Sequence, residues 1–523
     1  MKPASKNISF TNIFIVIIFI LITIIRLNGI TKSPPGFYKD EAGIAYNGYS
    51  ILKTGKDEFG VAWPLFFRNF DDWKEPIFIY SQLPFLTIFG PDIYATRATA
   101  AFWGLATIGL LGYLVWLLTK SKYAVLLSLI FLGFMPWHFH FSRIGFQLIT
   151  LPFFFCLYLI FIYTFLKTKQ TKWYLWASFI LGTLFYTYYA GRFYGVFFLA
   201  IQTLLFRKEV TTKTLVHSWL MFGLTLLPAF VWNASYPETI TARYDAVSLF
   251  SRYKQISEVI KAYVEGYINH FSPNFWFVKG DTNVRHSPGF HYPLLWVTAP
   301  LVIAGLVKLL QNRKSPFYLL VIVSVISFPI VSALTTDAPH VHRTVQLMPV
   351  MVLVMVLGSL KLKQWFEKVV GTFLVVSWRI ISKRYFLLIE FFLAIIFFTG
   401  FFLEWSLFSH YYFSTYPKKA ELWFQVPDIK AIQGLLKYPT PHVIDINITE
   451  YRPSTYDLLR QIDPYKVQNG QRIAQFVAIP ELKSAQKGYY LMRGNVCNTF
   501  SERFPNAIFI ESPAEGFCIF RIN

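Results

Sequence analysis

Charged side chains are scarce in this chain of 523 residues: Asp, Glu, Lys and Arg together make up 15%, where an ordinary soluble domain carries about 25%. That shortfall excludes a water-soluble globular protein and a disordered one, since both need more solvated charge. Cysteine is nearly absent, with three residues, too few for a disulfide framework or a zinc site. Low-complexity linkers and repeats at solenoid periods are missing too. Acidic residues are the scarcer sign, 28 against 49 Lys and Arg, for a net charge of +21. What abounds is apolar: 54% hydrophobic residues, including 55 Phe, 31 Tyr and 15 Trp. The class this describes is a polytopic α-helical membrane protein, with lipid as the solvent for most of the chain.

Apolar stretches of about 20 residues bounded by charge predict eleven spans, near 8–27, 94–119, 123–141, 149–166, 173–190, 193–206, 214–232, 292–310, 316–334, 345–360 and 385–405. The first lacks a small-residue cleavage site after Arg26-Leu27-Asn28-Gly29, so it is expected to remain as a span rather than leave as a signal peptide. Residues 77–89 are too short to cross and hold Pro84; they read as a helix lying at the membrane surface, and 369–378 as a cytoplasmic amphipathic helix.

An odd number of spans puts the termini on opposite sides, and basic residues then mark the cytoplasmic loops. Those loops hold nineteen Lys and Arg, from Lys2 and Lys6 to Lys383 and Arg384, against Glu209 and Glu367. The positive charge is therefore orientation signal and implies no nucleic acid. The expected location is the plasma membrane, multi-pass, with the N-terminus cytoplasmic and the C-terminal domain extracytoplasmic.

Two domains are expected: a transmembrane domain over 1–405, with outer loops at 28–91 and 233–291, and an extracytoplasmic domain over 406–523. In the tail, 443–448, 476–479, 489–492, 507–510 and 517–520 read as short strands and 427–438 and 452–462 as helices, a small α/β domain. Cys497 and Cys518 both fall there, where oxidation is permitted, and have one disulfide open to them; Cys156 lies in a span as packing.

The first outer loop is where chemistry concentrates. Asp40 and Glu41 open a run of helical spacing about a dozen residues after the first span. A helix N-terminus stabilises carboxylates, so a capping role accounts for the pair as well as a functional one does. Asp57-Glu58 and Asp71-Asp72 read as solvated loop charges. Arg143, Arg192, Arg285, His286, His340, His342 and Arg343 are all predicted at the outer ends of spans. Arginine suits a phosphate because its planar fork donates two hydrogen bonds and stays charged, although a single one near a span end also serves as a snorkelling anchor. The H-V-H of 340–342 offers metal-type ligands but no acidic partner placed by sequence, so no metal site is assigned.

Taken in order, the acidic pair, W-K-E-P at 73–76, an apolar helix ending in Phe89-Gly90, Arg97, F-S-R at 141–143, Y-T-Y-Y-A-G-R at 186–192, G-D-T-N-V-R-H at 280–286 and T-D-A-P-H-V-H-R at 336–343 resemble glycosyltransferase family 39 and its relatives. Those are the protein O-mannosyltransferases and the lipid A aminoarabinose transferases of the GT-C fold. The resemblance covers roughly 8–405. It implies a GT-C-like membrane fold and an inverting transfer of a monosaccharide from a polyprenyl-phosphate carrier to an acceptor hydroxyl on protein, lipid or glycan at the outer face. It assigns Asp40 as the catalytic base, with Glu41 orienting it or the acceptor, or pointing away. Glu75 stands one place off the acidic position of the aminoarabinose-type motif, and the His of the eukaryotic mannosyltransferases is absent there. The resemblance implies that Arg143, Arg192, Arg285, His286, His340, His342 and Arg343 bind substrate. The donor is a lipid-phosphate-linked sugar, the partners are donor, acceptor and bilayer, and no cofactor is called for; a divalent metal is compatible with the chemistry but has no ligand set.

Two other classes compete. A transporter or flippase of lipid-linked saccharide would show ionisable groups near the midplane and related halves; here Glu390 is the exception among charges kept in loops. An oligosaccharyltransferase-type GT-C enzyme would carry a W-W-D-type motif, and the tail has none.

Overall fold

The computed structural model describes residues 10–69, 72–239, 247–377, 383–445, 453–471 and 474–523. Lys2, Lys6, Asp71 and Arg379, and the end of the strand expected over 443–448, lie outside these. The chain packs as two compact units. One comprises 1–28, 101–143 and 147–412; the other comprises 29–100, 144–146 and 413–523. The first outer loop, the start of the span Ile93–Thr119 and the tail fall in one unit.

Among the described residues eight helices are long and apolar enough to cross a membrane: Phe10–Leu27, Ile93–Thr119, Gln147–Thr168, Tyr189–Phe206, Thr212–Ser235, Pro316–Ala333, Leu347–Val369 and Leu388–Ser414. The other three expected spans are shorter, each for a local reason. The run 123–141 breaks into Lys122–Gly133 and Pro136–Phe141, since Pro136 has no amide to continue the helix and Met135 before it is extended. The run 173–190 ends as Thr171–Thr183 with a tightened last turn, and Tyr188 is extended before the next helix begins. The run 292–310 starts late, at Trp296. The amphipathic helix expected over 369–378 is instead the continuation of one helix, Leu347–Ser377: the intervening K-L-K-Q-W-F-E-K holds good helix formers and no breaker.

In the first unit, the helices Ala299–Gln311 and Leu347–Ser377 approach closely because each offers a glycine. A Cβ on Gly305 would lie 2.0 Å from the Val354 carbonyl oxygen, and one on Gly358 1.9 Å from that of Leu301. Small residues at such crossings let backbones pack where lipid supplies no hydrophobic drive.

The second unit contains a hairpin, β1 (Phe67–Asn69) with β2 (Asp72–Lys74), and a five-stranded sheet in the order β4-β3-β5-β7-β6. Its strands are β3 (His442–Asp445), β4 (Ala474–Val477), β5 (Gly488–Arg493), β6 (Ala507–Glu511) and β7 (Phe517–Ile522). β3 pairs parallel with β4 and β5, while β7 pairs antiparallel with β5 and β6. Alternation along the strands divides the core into two faces. Ile444, Leu491 and Ile519 bury against Ile429, Ile432 and Leu435 of the helix Val426–Leu435 and Tyr456 of the helix Pro453–Leu459. Val443, Tyr490, Met492 and Phe520 bury against Phe500 and Phe504. The α/β tail expected from the sequence is thus present, and Cys497 and Cys518 form a disulfide within it.

Candidate functional site

The helix Lys39–Thr54 carries the acidic pair and is anchored from behind. Ala42, Ala45, Tyr46 and Tyr49, a stripe at helical spacing, pack into the same core cluster as the tail's Ile432 and Tyr456. Tyr46 donates to the Ile462 carbonyl at 3.3 Å, and Gln468 donates to Ser50, Thr54 and the Asp57 carbonyl, each at 2.9 Å.

Neighbouring residues on a helix point about 100° apart, and this splits the pair. Glu41 turns inward and is fully buried. Its Oε1 accepts from Arg97 Nε at 3.0 Å and from the Gly145 amide at 2.7 Å; its Oε2 accepts from Arg97 Nη2 at 2.9 Å and from the Tyr38 amide at 3.3 Å. Arg97, equally buried, spends its remaining donors on the carbonyls of Ile30, Pro34 and Gly36. A carboxylate so enclosed ties the loop 30–36 to the helix start and to residue 145. Asp40 turns outward. Its side chain is 32% exposed, and the Lys74 ammonium lies 3.5 Å from Oδ2. Lys74 comes from β2 and also holds Asp72, at 2.9 Å. Glu75 is buried, at the start of the short helix Pro76–Ser81. The surface helix expected over 77–89 is two, Pro76–Ser81 and Leu83–Phe89, joined at Gln82, which donates to the Ile44 carbonyl at 2.6 Å. Asp57 and Glu58 are not solvated: Asp57 accepts from the amides of Phe59 and Val61, and Glu58 pairs with Asn47. Burial raises the Asp57 carboxyl above its ordinary value, against those amide bonds.

The remaining predicted residues belong to the other unit. His286, His340 and His342 come together there: the rings of His286 and His342 stack at 4.6 Å, and His340 stands 4.7 Å from the first and 5.1 Å from the second. Burial, then the neighbouring imidazoles and the charges of Arg285 and Arg343, holds His286 well below the usual histidine range. Asp281 Oδ2 lies 3.2 Å from His340 Nδ1 and accepts from the Val341 amide, and Asp337 Oδ2 lies 3.2 Å from His340 Nε2. Arg343 is buried and bonds Asp337 and Thr335. Burial pushes the Asp337 carboxyl up, but the bond to His340 and the charges of His340 and Arg343 outweigh it and hold the group well below the carboxylate range. The phenol of Tyr188 reaches His342 at 3.1 Å.

Arg285 is half-buried beside His286, and its carbonyl meets His140 Nε2 at 2.8 Å. Arg192 stacks over Tyr189 at 4.5 Å and donates to the Thr239 carbonyl. Arg143 is fully buried; it donates to the Ile25 and Arg26 carbonyls and lies over Phe139 and Tyr412.

Sequence reasoning passed over several members of these clusters. Asp281 and Asp337 stand inside the motifs 280–286 and 336–343, and an aspartate within a histidine motif was the available signal. Lys74 was visible only as part of W-K-E-P. Arg26 donates to the Gly133 carbonyl and contacts His138 Nδ1 at 3.1 Å.

No protein-family model matches the sequence, and no curated protein does. Solved structures do match. ArnT from Cupriavidus metallidurans in the apo state superposes with a TM-score of 0.56 at 13% identity, covering 97% of each chain. The same protein bound to undecaprenyl phosphate gives 0.56 at 12%, again over 97% of each chain. The archaeal oligosaccharyltransferase AglB from Archaeoglobus fulgidus, in complex with an inhibitory peptide and a dolichol-phosphate, gives 0.49 at 13% over 90% of this chain and 65% of its own. At such identity the likeness is one of fold. The chain has the GT-C architecture of ArnT, a multi-helical membrane region with a small C-terminal β-sheet domain.

Proposed function

We propose that this protein is a glycosyltransferase that moves a monosaccharide from a polyprenyl-phosphate carrier to an acceptor hydroxyl at the extracytoplasmic membrane face, with inversion and with Asp40 as the catalytic base. One observation carries the reading: of two adjacent carboxylates on one helix, Glu41 has its oxygens committed to Arg97, Gly145 and Tyr38, whereas Asp40 faces outward. A sugar acceptor is a weak nucleophile. A carboxylate in hydrogen-bond reach takes its proton as the acceptor oxygen attacks the anomeric carbon, and the carrier phosphate leaves from the opposite side with the bonding pair. Lys74 orients Asp40, Glu41 positions the helix on which it stands, and Glu75 serves the same loop. The binding of undecaprenyl phosphate by ArnT, a protein of the same fold, supports a lipid phosphate as carrier. Arg192 and Arg285 carry chemistry suited to a phosphate, whereas the buried Arg143 and Arg343 donate to groups inside the protein.

The test is label transfer from a panel of polyprenyl-phosphate monosaccharides by the purified chain in lipid, with a membrane extract as acceptor. Asp40→Asn is expected to lose transfer by about 10²- to 10⁴-fold while still binding donor. Undiminished transfer in that variant removes Asp40 from the mechanism. A wild type that flips donor across a vesicle and transfers nothing replaces the reading with a transporter.

A further inference from the structure

Glu390 stands at the third residue of the span Leu388–Ser414, an ionisable group where lipid begins. Such a group is costly unless something pairs with it, which makes it a candidate site in its own right. Its Oε2 lies 3.5 Å from Lys363 Nζ on the helix Leu347–Ser377. Its Oε1 is buried and meets no hydrogen-bond donor among the described residues. A buried carboxylate oxygen calls for a donor, and lipid tails offer none.

That oxygen belongs to a groove of about 460 Å³ among the helices Lys122–Gly133, Ala299–Gln311, Leu347–Ser377 and Lys383–Ser414. Lys363 and Trp365 stand with Glu390 at one end, and Phe131, Leu301 and Phe397 line the rest. At 1.5 Å per helical residue, Phe397 lies about 10 Å further along its helix than Glu390. The groove thus runs from a polar end to an apolar one, the order of a phospholipid from headgroup to tail. The sequence flanking the polar end carries Lys361, Lys363, Lys368, Lys383 and Arg384, which marks it as headgroup level.

We propose that this groove binds one phospholipid with a primary-amine headgroup, of the ethanolamine kind, from the leaflet those basic residues mark. Its ammonium donates to Glu390 Oε1, its phosphate accepts from Lys363 Nζ, and one acyl chain lies along Phe131, Leu301 and Phe397. Charge complementarity selects this occupant. Glu390 and Lys363 together are neutral, which suits a zwitterion, whereas a lipid with an anionic head and no cation brings nothing to Glu390. A choline head has the same charges as ethanolamine but no N–H, so it leaves Oε1 without a donor. Lys363 is largely exposed and faces Glu367 at 3.8 Å as well as Glu390, so its flexible stem is able to turn to a phosphate. The site stands independently of the transferase reading: it requires neither Asp40 nor a sugar donor.

The experiment delipidates the full chain in detergent, titrates it with phosphatidylethanolamine, phosphatidylcholine or phosphatidylglycerol of the same acyl chains, and counts retained lipid by native mass spectrometry. One phosphatidylethanolamine should be held about tenfold or more tightly than either of the others, the worth of a hydrogen bond to a charged group. Glu390→Gln should abolish the preference for ethanolamine over choline, and Lys363→Met should weaken both. Ala394→Trp, which fills the groove from an exposed position, should lose the retained lipid, while Leu224→Trp, on the exposed face of another span, should match wild type. Phosphatidylethanolamine with a photoreactive tail should label 127–131 and 393–398 in the wild type, a reading that needs no variant to fold. Equal retention of ethanolamine and choline lipids, a preference for phosphatidylglycerol, a preference that survives in Glu390→Gln, or labelling spread evenly over the spans overturns the proposal.

Discussion

Asp40 and Glu41 are neighbours of the same charge, and their substitution should have opposite consequences. Glu41→Gln keeps the shape but removes the charge that neutralises Arg97. Both groups are fully buried, and the other acceptors of Arg97 are backbone carbonyls. Breaking a buried pair by removing one partner costs about 3–5 kcal/mol, because the other charge remains desolvated. Asp40→Asn removes a one-third-exposed carboxylate 3.5 Å from Lys74, and Lys74 retains Asp72 at 2.9 Å. Such a partly solvated pair is worth about 0–1 kcal/mol. At roughly 2–4 °C per kcal/mol for a unit of this size, Glu41→Gln should lower the unfolding midpoint by on the order of 10 °C, and Asp40→Asn should barely move it. Transfer should follow the reverse order when each folded protein is assayed well below its midpoint. The measurement is a thermal-unfolding scan in lipid at one scan rate, alongside label transfer. An Asp40→Asn protein as unstable as Glu41→Gln, or a Glu41→Gln protein of full stability that has lost transfer, refutes this division of roles.

Reducing the Cys497–Cys518 disulfide, which spans 21 residues of sequence, should destabilise the tail by about 3 kcal/mol in the loop-entropy picture; limited proteolysis of 413–523 with and without reductant reports it, and equal digestion rates would count against it. Replacing Gly358 with Ala places a methyl on the Leu301 carbonyl and should cost about 1–3 kcal/mol through helix separation, read as a lowered midpoint, whereas Gly109→Ala, with open space around it, should not. His270, buried beside Ser332, is pushed down from 6.5 to about 4, chiefly by burial. A depressed histidine pKa means that its contribution is complete above pH 6.5 and is lost as pH falls from there toward 4; protection factors over 256–291, taken after correction for the fall of intrinsic amide exchange with pH, should therefore drop across that window and do so less in His270→Gln.

Much of the molecule was legible in one dimension because the relevant physics is local. Long apolar helices follow from the price of an unsatisfied amide in lipid, and the strands of the tail from period-two alternation between turns. Where a helix is shorter than the expected span, the cause is also local but finer than hydropathy: Pro136 breaks one run, and Tyr188 leaves the helical region before another. The acidic pair was visible, but its meaning was not. Capping and catalysis predict the same D-E at a helix start, and only the burial of Glu41 on Arg97, 56 residues away, separates them.

Composition, periodicity and charge bias act over a few residues to a few tens, and from them come the solvent this chain folds in, its helical class and the residues from which a site can be made. Tertiary structure alone decided partnership. Residue 41 meets 97 and 145, 281 meets 340, 286 meets 342, and the tail packs behind the helix that carries Asp40. Those choices rest on burial and hydrogen-bond satisfaction across long separations, where one residue's environment is supplied by others whose nearness no local pattern records.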